Sequence, residues 1–221
     1  MPFRSPARSL RFLAMALALL PGAGGARASA STGEDLLATQ RQQYRVVENA
    51  LARGDPRPFF RARGLLADYP LYPYLELEEL RRRLDAMPAA EVEAFLARHG
   101  DDLPAARLRE AWLPLLAAHE RWAEFLRHYV ESPANTARRC DHACALYRTG
   151  ANAEADSAAA AIWAAPRSLP QGCDRVFEAW MARGNPSPAL AWQRFEAAMG
   201  VAETRLARYL TRFLDAPARA D

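Results

Sequence analysis

Acidic side chains are the groups of this sequence that could act as a general acid in a bond-cleaving reaction. Glu131-Ser132 is the one Glu-Ser pair in the chain, and it runs into Pro133, Ala134 and Asn135. A catalytic glutamic acid needs a closed, partly apolar cleft that raises its pKa. The stretch "YVESPANTARR" is instead polar and predicts a turn between two helices. We therefore predict that Glu131 is not a general acid and assign no catalytic residue.

Thiol and imidazole groups raise the question of a metal site in the motif "CDHAC". On a strand Cys140, His142 and Cys144 would share one face, but on a helix His142 points away from the two cysteines. No second ligand cluster follows, so we predict neither a metal site nor a cofactor site. The remaining histidines occur singly near helix ends or exposed faces, without a nucleophile motif: His99, His119 and His128.

An aromatic cluster lies in the stretch "YPLYPYLELEELRRRL", which spans residues 69–84. Tyr69, Tyr72 and Tyr74 either stack on sugar rings or pack the joint between two helical hairpins, and the residues alone leave both interpretations open. Pro73 fits the first positions of a helix, where its missing N–H costs nothing.

The helix that follows this cluster is amphipathic. Two ion pairs with i, i+4 spacing are predicted on its surface, Glu78 with Arg82 and Glu79 with Arg83. Its buried stripe is predicted to consist of Leu77, Leu80 and Leu84. The cluster is therefore predicted to mark a structural corner of the fold.

Helix start and stop signals recur along the whole chain, with Ser, Thr, Asp, Asn or Pro before apolar-periodic segments and Gly after them. Alternating strand patterns are absent. Short helices joined by short turns are typical of stacked helical hairpins, so we predict an all-α fold, an α-solenoid or superhelix. The predicted helices span residues 33–53, 57–67, 73–85, 88–99, 104–118, 120–130, 135–149, 152–164, 174–183, 187–199 and 202–214.

The first thirty residues have the order of an export signal. Three arginines precede the apolar run 12–20, and a small-residue stretch ends at Ala28-Ser29-Ala30. We predict a signal peptide over residues 1–30, cleaved after Ala28 or Ala30, and one α-superhelical domain over residues 31–221. No later segment is long and apolar enough to span a membrane.

Charge excludes nucleic acid as a predicted partner. The 29 basic residues are all arginine, and four of them precede residue 31, which leaves 25 against 26 acidic residues in the exported chain. The pI of about 9.0 therefore reflects the predicted signal. Arg81-Arg82-Arg83 is too short to form a basic patch.

Several stretches resemble the N-terminal region of the soluble lytic murein transglycosylases of Gram-negative bacteria. In that family the double Tyr-Pro motif is followed by a Leu-Pro-x-x-Arg-Leu segment and a Trp-containing helix, here Leu103 to Leu108 and Trp122 to Phe125. The stretch "CDHACALYRTGANAEADSAAAAIWAAPRSLPQGCDRVFEAWMARG" is similar to a further segment of the family. The likeness covers nearly everything from residue 36 onward.

The resemblance implies a periplasmic, U-shaped superhelix, which in the family carries a lysozyme-like domain. That domain cleaves the MurNAc–GlcNAc bond of peptidoglycan with one glutamic acid, in a motif of Glu-Ser followed by Gly-Leu-Met-Gln. This sequence lacks Gly-Leu-Met-Gln, so we expect the catalytic domain to be missing and the chain to be inactive alone. The expected partners are peptidoglycan, through that domain, and cell-wall synthesis proteins.

The resemblance also implies a disulfide. Cys140 and Cys173 lie 33 residues apart, the separation of the family's pair, and a periplasmic location permits the bond. Cys144 departs from the family pattern. It lies one helical turn from Cys140, so it is either a competitor for Cys173 or a buried apolar residue.

The alternative to a transglycosylase part is a freestanding periplasmic scaffold, related to tetratricopeptide repeats, that binds a protein or glycan strand.

The last predicted helix has an apolar stripe of which only part can pack on the preceding hairpin, so we expect self-association or fraying from about residue 187. The stripe consists of Leu206, Tyr209, Leu210, Phe213 and Leu214.

Overall fold

The computed structural model describes the backbone of residues 25–214 and the side chains of residues 33–214. This part of the chain is all-α, with eleven α-helices, two short 3-10 helices and no strand. Most of the predicted signal lies outside it. The helices are α1 Gly25–Ala52, α2 Arg57–Leu66, α3 Tyr72–Arg83, α4 Ala89–His99, α5 Leu103–Ala118, α6 Trp122–His128, α7 Thr136–Arg148, α8 Asn152–Trp163, η1 Gln171–Cys173, α9 Asp174–Ala182, α10 Pro188–Gly200, α11 Thr204–Leu210 and η2 Thr211–Phe213.

The predicted all-α fold is confirmed, and most predicted helix bounds agree with the observed ones to within two residues. Two elements differ. Helix α1 begins at Gly25, eight residues before the predicted start: it contains no proline and continues through Gly33 without interruption. The last predicted helix is a short α11 that tightens into the 3-10 helix η2. None of the described helices is both long and apolar enough to cross a membrane.

Four helices end in the same hydrogen-bonded turn, in which an N–H donates to the carbonyl five residues earlier. The residue before that N–H has a positive φ, and it is Gly54 (91°), Glu120 (55°), Gly150 (86°) or Ala202 (61°). The sequence predicts that Gly200 stops α10. In the structure Gly200 is the last residue of α10, and Ala202, two residues later, takes the left-handed conformation. These turns keep the connections short enough for consecutive helices to pack as hairpins.

The chain divides into two compact units, the first of which extends to Tyr72. In this unit α1 packs on α2, and the buried residues include Val47 and Leu51 of α1 and Phe59 and Leu66 of α2. The buried Gln40 amide satisfies one backbone group by donating from Nε2 to the carbonyl oxygen of Leu65 at 2.8 Å.

The second unit begins at residue 73 and has two apolar clusters. The first is formed by α3 to α7 and contains the predicted stripe Leu77, Leu80 and Leu84, which is buried. The second is formed by α7 to α11 and is centred on Trp163 and Trp180, whose rings lie 5.5 Å apart. Helix α7 contributes to both clusters, so it connects the two halves of this unit.

The predicted ion pair between Glu79 and Arg83 is formed, with Nε and Oε1 2.8 Å apart. Arg83 also contacts Glu91 at 2.8 Å, so one guanidinium joins α3 to α4. The hydrogen bonds that Arg83 donates to Glu79, and then to Glu91, raise the pKa of Arg83. Glu79 is buried, and Arg83 supplies the positive charge that a buried carboxylate requires.

The C-terminal apolar stripe packs more completely than the sequence predicts. Leu206, Leu210 and Leu214 are buried in the second cluster, and Phe213 packs on Trp163 with the ring centres 6.0 Å apart. Tyr209 is the member that remains exposed. The 3-10 turn of η2 explains the difference, since it rotates the end of the stripe back onto α10.

Candidate functional site

Two members of the tyrosine cluster, Tyr69 and Tyr72, pack against aromatic side chains within the first unit. The ring of Tyr69 lies 5.5 Å from that of Tyr44 on α1, and Tyr72 stacks nearly parallel on Phe59 of α2 at 5.9 Å. Both tyrosines therefore have the contacts of a hairpin joint. Tyr74 is half-buried and has no ring contact or hydrogen bond among the described residues. Glycan stacking by these rings stays a prediction.

Cys140 and Cys173 form a disulfide between α7 and η1. Both residues are buried in the second cluster, to which Trp163 and Trp180 also belong. Cys144, one turn further along α7, is a half-buried free thiol that packs against the first cluster. Burial raises its pKa, which keeps it in the unreactive thiol form. The two cysteines of α7 thus contact different apolar clusters.

His142 stacks on Tyr129, with ring centres 4.0 Å apart and planes inclined by 7°. Burial lowers the pKa of His142, and the nearby Glu131 only partly opposes this effect. In the "CDHAC" motif Cys140 therefore forms a disulfide, His142 stacks on an aromatic ring and Cys144 is a half-buried thiol. Within residues 33–214 no group of three His, Cys, Asp or Glu side chains is arranged to hold a metal ion.

Glu131 lies on an exposed turn and contacts two neighbouring side chains. The Tyr129 hydroxyl donates to its Oε2 at 2.6 Å, and Arg139 Nε lies 3.4 Å from its Oε1. Its side chain is 59% exposed. A glycosidase general acid works in a closed, partly apolar cleft, and Glu131 does not have those surroundings.

Three histidines that the sequence presents singly each face a carboxylate from another helix or loop. His99 lies 3.4 Å from Glu76 and His128 lies 3.3 Å from Glu93. The preceding arginines, Arg98 and Arg127, pair with the same two glutamates. The Arg and His at the end of one helix therefore both contact a glutamate of an earlier helix, the Arg through an ion pair and the His through a hydrogen bond. In the third pair, His119 contacts Asp85 at 2.7 Å.

A pocket of about 720 Å³ opens beside α7 and α8. Tyr129, Glu131, Arg139 and His142 lie along one part of its wall, and Ala158 belongs to the part formed by α8. The polar groups of this wall already bond to one another, as the Tyr129, Glu131 and Arg139 contacts show. Glu154 and Ser157 of α8 also line the pocket.

A second pocket contains a residue that the sequence analysis missed, Arg194. Its position follows the apolar spacing of α10, where Ala191 and Ala198 are also buried. A charged residue at a position of the buried stripe was the signal that could have identified it. Its neighbours Arg205 and Arg212 come from the next helix and turn, and nothing in their local sequence points to a shared site.

The fold defines the class of protein. Its short helices stack as hairpins, and many of their charged side chains form ion pairs. The second unit is an all-α assembly of the α-superhelix type.

Comparison with known proteins gives the family. Soluble lytic murein transglycosylase of Escherichia coli K12 is 32% identical over 200 residues, which are 90% of this chain and 30% of that protein. The Salmonella typhimurium protein of the same name is 31% identical over 176 residues, 80% of this chain and 27% of its own. This chain belongs to the soluble lytic murein transglycosylase family and spans about 30% of the length of these relatives. No family model matches.

Solved structures of the family share this fold. Lytic transglycosylase Slt of Pseudomonas aeruginosa matches with a TM-score of 0.71 and 32% identity, over 79% of this chain and 28% of its own. The 70-kDa soluble lytic transglycosylase of Escherichia coli matches with a TM-score of 0.73 and 30% identity, over 83% and 30%. A structure of a 70-kDa soluble lytic transglycosylase in complex with bulgecin A also matches, with a TM-score of 0.70.

Proposed function

We propose that this chain is the non-catalytic superhelical part of a periplasmic soluble lytic transglycosylase. In this role it serves peptidoglycan turnover, by cleavage of the MurNAc–GlcNAc bond, through a domain that its own residues do not form. The observation that carries the proposal is the similarity to soluble lytic murein transglycosylases over 90% of this chain and only 30% of theirs.

The surroundings of Glu131 support the non-catalytic part of this proposal. A glycosidase acid works in a closed, partly apolar cleft, whereas the side chain of Glu131 is 59% exposed and already contacts Tyr129 and Arg139. The sequence after Glu131 contains no Gly-Leu-Met-Gln motif. Under this proposal the described residues form a scaffold, and the reaction takes place in another domain.

A segment exchange tests the proposal directly. The aligned segment of the Escherichia coli relative is replaced by the matching residues of this chain, and digestion of murein sacculi is measured for the chimera and for this chain alone. We expect the chimera to release 1,6-anhydromuropeptides and this chain alone to release none. A chimera that folds, judged by circular dichroism, but does not digest sacculi would contradict the proposed role.

Periplasmic placement is the second part of the proposal. It rests on the arginine-rich start, the apolar run 12–20 and the small residues up to Ala30. Expression of the full chain in a Gram-negative host should give a periplasmic product that begins at Ser29 or Ser31. N-terminal sequencing of the periplasmic fraction measures this, and an uncleaved cytoplasmic product would contradict it.

A freestanding scaffold is the second candidate function, and the surface of the first unit favours it. Leu36 and Val46 on α1 and Phe60 on α2 are about half exposed, at 51%, 49% and 50%. Exposed apolar side chains on one unit are the usual contact points of a protein partner. Under this function Phe60→Glu would abolish capture of a periplasmic partner, while the segment-exchange chimera would be inactive.

A further inference from the structure

The pocket beside Arg194, which we call the arginine pocket, is formed within the second unit by α8 to α11 and η2. Its volume is about 530 Å³, within the range of small-molecule sites. Trp163, Phe177 and Leu206 form its apolar floor. Five charged residues also line it: Arg194, Arg205, Arg212, Asp174 and Glu178.

Arg194 is 4% exposed, yet it forms no ion pair with any described residue. Its Nε donates to the carbonyl oxygen of Ala165 at 3.0 Å, and one terminal nitrogen donates to that of Arg167 at 3.3 Å. The other terminal nitrogen has no acceptor in the described part of the chain. Buried guanidinium groups are normally paired with an anion, because an uncompensated buried charge is costly.

Aromatic rings hold two of the guanidinium groups in place. The Arg194 guanidinium carbon lies 4.6 Å from the centre of the Trp163 ring, and that of Arg212 lies 4.4 Å from the centre of Tyr209. Stacking on a ring leaves the in-plane N–H groups of a guanidinium able to donate, and at Arg194 the terminal nitrogen that has no acceptor is the one available to a carboxylate. Burial lowers the pKa of Arg194 to about 10, so it remains charged at neutral pH.

Helix α9 supplies side chains of the opposite charge to the lining of the pocket. Asp174 and Glu178 are one helical turn apart on α9 and both line the pocket. Neither forms an ion pair with a described residue, and Arg205 likewise has no ion-pair partner there. A ligand carrying only negative charge would be attracted by the arginines but repelled by these carboxylates, whereas a zwitterion would satisfy both.

We propose that the arginine pocket binds a small zwitterion of the amino acid or short-peptide class. The ligand's carboxylate lies between Arg194 and Arg205, its ammonium faces Asp174 and Glu178, and its apolar body lies on Trp163. The proposal does not depend on the function proposed above, since its ligand contacts no other part of the chain.

Alanyl-alanine is the probe, and its N-acetyl derivative and its C-terminal amide each remove one charge. Binding to the exported chain is followed by amide and indole NMR shifts at constant ionic strength. We expect saturable shifts near Trp163 with the dipeptide, and affinity about tenfold lower for each blocked derivative.

Arg205→Gln is the main variant, because Arg205 is exposed and its loss leaves the packing intact. It should weaken dipeptide binding about tenfold. Arg208→Gln is the matched control, since Arg208 is an exposed arginine of the same helix that does not line the pocket, and it should bind as wild type does. Glu178→Gln should weaken binding of the dipeptide and leave binding of the N-acetyl derivative unchanged.

Three results would overturn the proposal. The first is the absence of saturable shifts with the dipeptide at millimolar concentrations. The second is equal affinity of Arg205→Gln and Arg208→Gln for the dipeptide. The third is equal affinity of the dipeptide and its N-acetyl derivative, because the carboxylates of α9 would then have no part in binding.

Discussion

Cys140 of α7 is bonded to Cys173 of η1, so two segments separated by 33 residues are held together inside one apolar cluster. The loop closed by this bond contains the whole of α8. Cross-linking of this kind restricts the unfolded chain more than the folded one, which already holds the two segments together.

Removal of the disulfide is expected to destabilise the exported chain. For a loop of 33 residues, the chain-entropy model gives a loss of about 3.5–4 kcal/mol in the free energy of unfolding. Urea denaturation of Cys140→Ala/Cys173→Ala against wild type measures it. Cys144→Ala is the control and should change stability far less. Non-reducing peptide mapping that finds Cys144 bonded to Cys173 would contradict this pairing.

Acid should weaken the contact between Asp156 of α8 and Arg183 after α9. Hydrogen bonds from Arg183 and then Tyr147 lower the pKa of Asp156. Because the folded pKa lies below the unfolded value of about 3.9, this carboxylate adds stability above about pH 4 and loses it as the pH falls further. Asp156→Asn should therefore destabilise the protein at pH 7 and have less effect near pH 2.

Urea midpoints at both pH values measure this difference. Asp68→Asn serves as the control, because Asp68 is exposed and forms no ion pair among the described residues. An Asp156→Asn effect that is the same at both pH values would show that the charge of Asp156 is not responsible.

Two of the helix-ending turns make a reciprocal pair of predictions. Gly150→Ala should cost about 1 kcal/mol, because alanine at a φ of 86° is strained although its Cβ would meet no atom within 4 Å. Ala202→Gly should relieve the same strain and stabilise the chain by a few tenths of a kcal/mol, after the entropy cost of glycine. Chemical denaturation measures both, and equal signs for the two substitutions would contradict the assignment.

Leu210 should be essential to the C-terminal hairpin. Its side chain is fully buried in the second cluster, so Leu210→Ala is expected to lower stability by about 2–5 kcal/mol. Met199→Ala on α10 is the control, since Met199 is 50% exposed and its loss should have little effect. Amide exchange locates the change, which should be concentrated in α10 and α11. A neutral Leu210→Ala would mean that α11 packs loosely.

Glu131 should be dispensable for any activity toward peptidoglycan. The purified chain is expected to release no 1,6-anhydromuropeptides from murein sacculi above a buffer blank, and Glu131→Gln is expected to behave identically. The reason is that the Glu131 side chain is 59% exposed, whereas a general acid works in a closed, partly apolar cleft. Product release that Glu131→Gln abolishes would refute this.

Local order was predictable from the sequence alone because it depends on neighbours within a few residues. The left-handed conformation that glycine tolerates marked the ends of helices at Gly54, Gly100 and Gly150. The 3.6-residue period identified Leu77 and Leu80 as buried. The all-α fold follows from such signals because each helix forms its hydrogen bonds within its own segment.

Contacts between distant segments were decided by the tertiary structure. Nothing in the local sequence pairs His99 with Glu76 or joins Arg183 to Asp156, since these contacts depend on how helices cross and where their loops run. Spacing alone left Cys140 and Cys144 as competing partners of Cys173. Arg194 became a buried charge at the wall of a pocket only because α8, α10 and α11 meet around it, and that meeting is set by the packing of side chains far apart in the chain.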